Sequence, residues 1–157
     1  MSVVDLAIEC VKAVENIGEE FRRRARAFHT DIYVLGPAYV VALAAARSSE
    51  DRKQERGKDK EDKENKGAGI YKVCLGLKAE SCGDAVKEIL SGDGDNVKKS
   101  YAAYGAALLY ILKKLGAIQE NECTAVLKKL NDDPPYEALE VANWLKLLAE
   151  AYFAERE

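Results

Sequence analysis

The sequence predicts an all-α fold, a helical bundle of three to four long helices with two to three short ones. Three observations point there. Apolar residues recur at spacings of three and four along most of the chain, nothing alternates with period two for long, and the breaks carry helix-capping residues. With 157 residues, 48% of them apolar, the chain suffices for one domain with a real core. That domain is expected to span residues 1–157 and to carry a charged mobile insert at about 48–67.

The first helix is read over residues 2–29. Ser2 caps it, with Asp5 three residues on. Val3, Ala7, Cys10, Val14, Ile17 and Phe21 form one apolar stripe, widened early by Val4, Ile8 and Val11. Gly18 weakens this helix by roughly 1 kcal/mol against alanine and marks a bend or break. A second helix covers about 32–47, started by Thr30 or Asp31. Gly36-Pro37 interrupts its first turns, because proline has no N–H to donate to the preceding turn. Beyond Pro37 it is apolar nearly all round, as expected of a helix in the middle of a bundle.

From Glu50 to Lys66 there are seven basic and seven acidic residues and no aliphatic or aromatic one. Such a segment has nothing to bury, which predicts a loop. Residues 69–79 fit either a short helix (Ile70, Val73, Cys74, Leu77) or a strand (Tyr71, Val73, Leu75). A lone strand has nothing to pair with, which favours helix. Ser81 with Asp84 opens a short helix to about Leu90, and Ser91-Gly92-Asp93-Gly94-Asp95 is a break.

Asp95 caps a long helix from Asn96 to about Leu115. Its stripe is Tyr101, Tyr104, Ala107, Leu108, Ile111 and Leu115, and Gly116 ends it. Residues 119–130 make another short helix. Asp133 caps the last one, which runs from Pro134 to about Ala154 with prolines in its first turn. Leu139, Ala142, Leu145, Ala149 and Tyr152 share one of its faces, with Trp144 and Leu148 beside them.

Composition narrows the chemistry. One histidine, His29, excludes metal sites built on several histidines and leaves a single position for any catalytic relay. His29 itself reads as a polar residue at a helix end. Phosphate-loop, dinucleotide and nucleophile-elbow motifs are missing from the sequence. Asp93 and Asp95 look like part of a calcium loop, but position twelve counted from Asp93 is Tyr104, not glutamate. They read better as turn and cap residues. Glu9, Glu15, Glu19 and Glu20 lack the Glu-x-x-His partners of a di-iron bundle. No metal and no cofactor is expected.

The four cysteines, Cys10, Cys74, Cys82 and Cys123, form no C-x-x-C pair. They read as small buried thiols. The alternative is a structural disulfide, such as Cys74 with Cys82, of the kind found inside hyperthermophiles. Residues 2–17 lack a basic leader region. The longest uncharged stretch, Ile32 to Ala46, is fifteen residues, short of the ~20 a spanning helix needs. A cytoplasmic protein without membrane contact is expected.

Basic clusters carry more information. Arg22, Arg23, Arg24 and Arg26 fall within five residues. Two readings stand side by side. Guanidinium forks donate two parallel hydrogen bonds to phosphate, and they also pair with nearby acids or sit well at a helix C-terminus. Lys98-Lys99, Lys113-Lys114 and Lys128-Lys129 recur on the helices. If several converge on one side, they track a nucleic-acid backbone without reading its sequence. A net charge of −3 confines any such contact to a local patch.

Two stretches then carry a resemblance: FRRRARAFHTDIYVLGPAYVVALAAA, Phe21 to Ala46, and YEALEVANWLKLLAEAY, Tyr136 to Tyr152. They resemble the small helical subunit of type III-B CRISPR effector complexes, the fifth protein of the Cmr set. Phe21 precedes a basic helix end, and Gly36 follows fifteen residues later before an alanine-rich run, as in that family. Glu137, Trp144, Lys146 and Ala149 occupy the family's places in the last helix. AAYGAALLYILKKL, residues 102–115, looks like its middle helix. The sequence departs from the pattern in Pro37, which follows the glycine, in Leu147 after Lys146, and in the length of the insert.

The resemblance implies a non-catalytic subunit that stacks in copies along the inner filament of a ribonucleoprotein. It implies as partners the other effector subunits and the backbone of guide and target RNA, whose base pairing supplies the sequence choice. Arg22, Arg23, Arg26 and Arg47 are the first candidates for phosphate contact, and Lys146 is next. Lys98, Lys99, Lys113 and Lys114 follow. The alternatives are a helical adaptor that binds only protein, which the net charge favours, and a small enzyme built on scattered carboxylates.

Overall fold

A computed structural model describes residues 1–49 and 68–154. The charged segment 50–66, predicted as a loop, lies outside the described residues. Among those described there are eight α-helices and no strand, the all-α fold the periodicity predicts.

Helix α1, Val3–Ala13, begins in a capping box: the Ser2 hydroxyl accepts from the Asp5 N–H and the Asp5 carboxylate accepts from the Ser2 N–H. The long first helix expected over residues 2–29 is in fact two. A 3₁₀ turn, Glu15–Ile17, separates α1 from α2, Gly18–Leu35. Gly18 is needed there because a Cβ would stand 2.5 Å from the Phe153 ring. The apolar stripe survives the break, since Ala7, Cys10, Val14, Ile17 and Phe21 are all buried.

The next boundary also moves. Thr30 and Asp31 start nothing; α2 runs through them, because Ile32 continues the buried face of Phe21, Ala25 and Phe28. His29 therefore lies inside a helix rather than at its end. The chain turns at Gly36, whose φ of 93° suits glycine, and Pro37 opens α3, Pro37–Ser48.

Helix α4, Gly69–Val73, passes into a 3₁₀ segment, Cys74–Leu77. Helix α5, Cys82–Ser91, is capped by Ser81, and α6, Asn96–Lys114, by Asp95, both as the sequence predicts. Helix α7, Cys123–Asp132, starts later than expected, and α8, Glu137–Tyr152, starts after both prolines rather than on them, so Asp133 does not cap it.

The centre of the bundle is α6, not the helix after Pro37. Every residue from Ala102 to Leu112 is buried, and α6 packs against α1, α2, α3, α4, α5 and α8. Helix α3 instead shows Tyr39, Ala42 and Ala46 to solvent. In the core, the Tyr104 ring lies 5.0 Å from Phe28 and 5.8 Å from Phe21, joining α2 to α6. Burial of each such ring contributes about 1.5–3 kcal/mol.

The cysteines are paired, and neither as free thiols nor as Cys74 with Cys82. Cys10 of α1 bonds Cys82 at the start of α5, and Cys74 bonds Cys123 at the start of α7. This corrects the free-thiol reading; the alternative, a structural disulfide, is what forms, but with other partners than Cys74 and Cys82. Neither pair is close in sequence, with separations of 72 and 49 residues. Beside the first bridge, Glu9 accepts from the Cys82 N–H at 2.7 Å and from the Tyr110 hydroxyl at 3.1 Å. Burial, then the Glu9 charge and hydrogen bond, with Asp84 behind them, push the Tyr110 hydroxyl up to about 12. One carboxylate thus ties α1, α5 and α6 together and sits favourably at the α5 N-terminus.

Candidate nucleic-acid interface

The buried face of α2 fixes where its arginines point. Arg22 and Arg26, one turn apart, lie on the flank beside α8. The contacts Arg26–Glu150 and His29–Asn143 set the two helices antiparallel. Arg26 Nε donates to Glu150 Oε2 at 3.2 Å, and Lys146 Nζ stands 3.6 Å from Glu150 Oε1. Arg22 adds its charge to the same group.

Two cations, Arg26 and Lys146, therefore contact one carboxylate, and the charge of Arg22 is felt there as well. Burial alone pushes the Glu150 carboxyl up. The hydrogen bond from Arg26 and the charges of Lys146, Arg26 and Arg22 overcome that and hold it below the usual carboxylate range. Arg26 keeps about half of its side chain in water, 51%, so its guanidinium still has donors to offer.

The other sequence candidates divide. Arg23 turns away from this groove and pairs with Glu19 at 3.0 Å and Glu20 at 3.5 Å on its own helix. Lys113 donates to Gln119 O, Glu120 O and Asn121 Oδ1, all within 2.9 Å, and so closes the turn after α6. Lys99 donates to Leu90 O. Lys114 lies over the Tyr110 ring. Arg47 sits near Tyr101 on the opposite side of α2, with Lys98 one turn earlier on α6. The structure thus gathers Arg22, Arg26 and Lys146 and disperses the rest.

Sequence reasoning missed the hub, Glu150, which lies 124 residues from Arg26. It also missed Arg24, whose place two residues from both Arg22 and Arg26 puts it on the far flank of the helix, a signal already in the spacing. There Arg24 donates to the Tyr101 hydroxyl and stacks 4.5 Å from that ring.

Two further surfaces stand out. A cleft of about 340 Å³ lies between the 3₁₀ turn and the end of α8, lined by Glu15, Glu19, Glu20, Asn96, Tyr152 and Phe153 among others. Its carboxylates make it repel phosphate. At the α2–α3 elbow Tyr33, Val34, Leu35 and Tyr39 are exposed together, Tyr33 by 75%. No helix is long and apolar enough to cross a membrane among the described residues.

No family model, curated protein or solved structure matches the chain. Fold and surface together define a small all-helical protein with a cationic groove between α2 and α8.

Proposed function

We propose that the chain is a non-catalytic small subunit of a type III CRISPR-Cas ribonucleoprotein, one that stacks with its own copies along the inner filament. Through the α2–α8 groove it holds the backbone of the guide RNA–target RNA duplex. The observation that carries this reading is the meeting of Arg26 and Lys146 on a single carboxylate that also feels the charge of Arg22. Cations in excess of anions on a rigid helix pair neutralise phosphates without reading bases. The resemblance of residues 21–46 and 136–152 to the Cmr small subunit supplies the particular assembly.

The test is recovery of the tagged full chain from its native extract, followed by analysis of what accompanies it. Short RNAs and Cas subunits are expected with the parent protein. The triple variant R22E/R26E/K146E is expected to lose the RNA while keeping its helicity. Retention of RNA by that variant overturns the groove assignment. An adaptor that binds only protein is the second reading, favoured by the exposed Tyr33, Val34, Leu35 and Tyr39. It predicts Cas-free protein partners, no RNA, and loss of those partners in Y33S/V34S.

A further inference from the structure

We infer a separate phosphate-binding site on the opposite flank of α2, where Arg24 and Arg47 approach the same tyrosine. Arg24 comes from α2, Arg47 from the last turn of α3 and Tyr101 from the second turn of α6. The guanidinium carbons stand 4.5 Å and 6.0 Å from the Tyr101 ring centroid. Arg24 also donates to the Tyr101 hydroxyl. The Phe28 ring, 5.8 Å away, holds Tyr101 in place from the core side.

Among the described residues the charges at this point do not balance. Among the described residues no carboxylate pairs with either Arg24 or Arg47. The ring face attracts each cation by only about 0.5–1 kcal/mol at an exposed position, while the two guanidinium groups repel each other. Arg24 Nε is moreover buried and reaches no acceptor. A buried charged donor left without a partner costs about 1–3 kcal/mol or more. Helix polarity accounts for Arg47 alone, at the C-terminal end of α3, but leaves Arg24 unexplained.

A tetrahedral oxyanion resolves the charge imbalance. Its oxygens accept from the terminal nitrogens of the partly exposed Arg24 and from the Arg47 fork, and the Tyr101 hydroxyl, already accepting from Arg24, has its own proton to give. The ligand class is a phosphate group, supplied either by a free phosphate or by a nucleic-acid backbone. The site stands on other residues than the α2–α8 groove, so it survives failure of the RNA reading.

The experiment follows the Arg Nε–H signals of the full ¹⁵N-labelled chain during titration with inorganic phosphate, against sodium chloride at matched ionic strength. A saturable shift of the Arg24 signal with phosphate alone is expected. R47Q, at an exposed position, should weaken that binding about tenfold or more, the loss of one charge-assisted contact. R26Q, in the other groove, should leave it unchanged. A second titration with a short RNA duplex separates the sources: an Arg24 shift there assigns a backbone phosphate, and its absence assigns the free ion. No saturable shift with inorganic phosphate, or an equal shift in R47Q, overturns the site.

Discussion

Replacing Glu150 by glutamine separates an RNA-holding groove from a helix-pairing cluster. In the wild-type chain Arg26 and Lys146 share one carboxylate, so about one positive charge of this set remains for phosphate. For a duplex, log K falls with log salt at roughly −0.9 per phosphate neutralised. The expected slope is therefore about −0.9, a loss of about 3.5-fold in affinity between roughly 50 and 200 mM salt. E150Q frees the second cation, steepens the slope to about −1.8 and raises the loss to about twelvefold over the same interval. At the low-salt end binding tightens by about tenfold, the lower bound for one added charge-assisted contact. The fold tolerates the change, because partly exposed ion pairs such as Arg26–Glu150 contribute only about 0–1 kcal/mol. The assay is fluorescence anisotropy of a labelled RNA duplex across a salt series, with circular dichroism as the folding control. A folded E150Q that binds more weakly, or with an unchanged slope, refutes the reasoning.

Other perturbations test the fold and the same charge cluster. C10A/C82A removes a covalent loop of 72 residues, and chain entropy puts the loss at roughly 4 kcal/mol; a denaturant midpoint matching the parent's rejects the bridge. Y104F removes a hydroxyl that is fully buried and reaches no acceptor, so unfolding free energy should rise by about 1 kcal/mol, and a fall of that size would show an undetected partner. Glu150 titrates lower folded than unfolded, so its contribution is present above its ordinary value near 4.5 and disappears as pH falls through its folded value. The stability gap between the parent and E150Q should accordingly narrow as pH falls below 4.5, and a gap that widens on acidification contradicts the sign. Gly105→Ala places a methyl group 2.6 Å from Val73 Cγ1, and the resulting overpacking should destabilise by about 1–3 kcal/mol, read from thermal melts.

Local signals were legible and distant ones were not. The caps at Ser2, Ser81 and Asp95 rest on a hydrogen bond to a residue three positions on, so the sequence displays both partners side by side. Thr30 and Asp31 carry the same capping chemistry and misled, because the buried stripe through Phe28 and Ile32 outweighs two polar side chains. The last helix shows the same limit in reverse. Prolines suit a first turn, yet Pro134 and Pro135 remain outside α8. The central place of α6 is a property of its neighbours, since an Ala-rich helix and a Leu-rich one look equally apolar until packed. Of the candidate groove, the arginine run was visible on one helix. Its partner, Glu150, was one of 27 acidic residues until α8 folded back against α2. The cysteine pairs were hidden for the same reason, since spacing alone does not bring four sulfurs together in space.

The two cystine links interleave along the chain, in the order Cys10, Cys74, Cys82, Cys123. A peptide bond hydrolysed anywhere between Ser49 and Ala68 falls inside the ring that Cys10 and Cys82 close. Both fragments then stay one molecule: a single band without reductant and two bands with it. The polypeptide is thus built to survive a nick in its most highly charged stretch without coming apart.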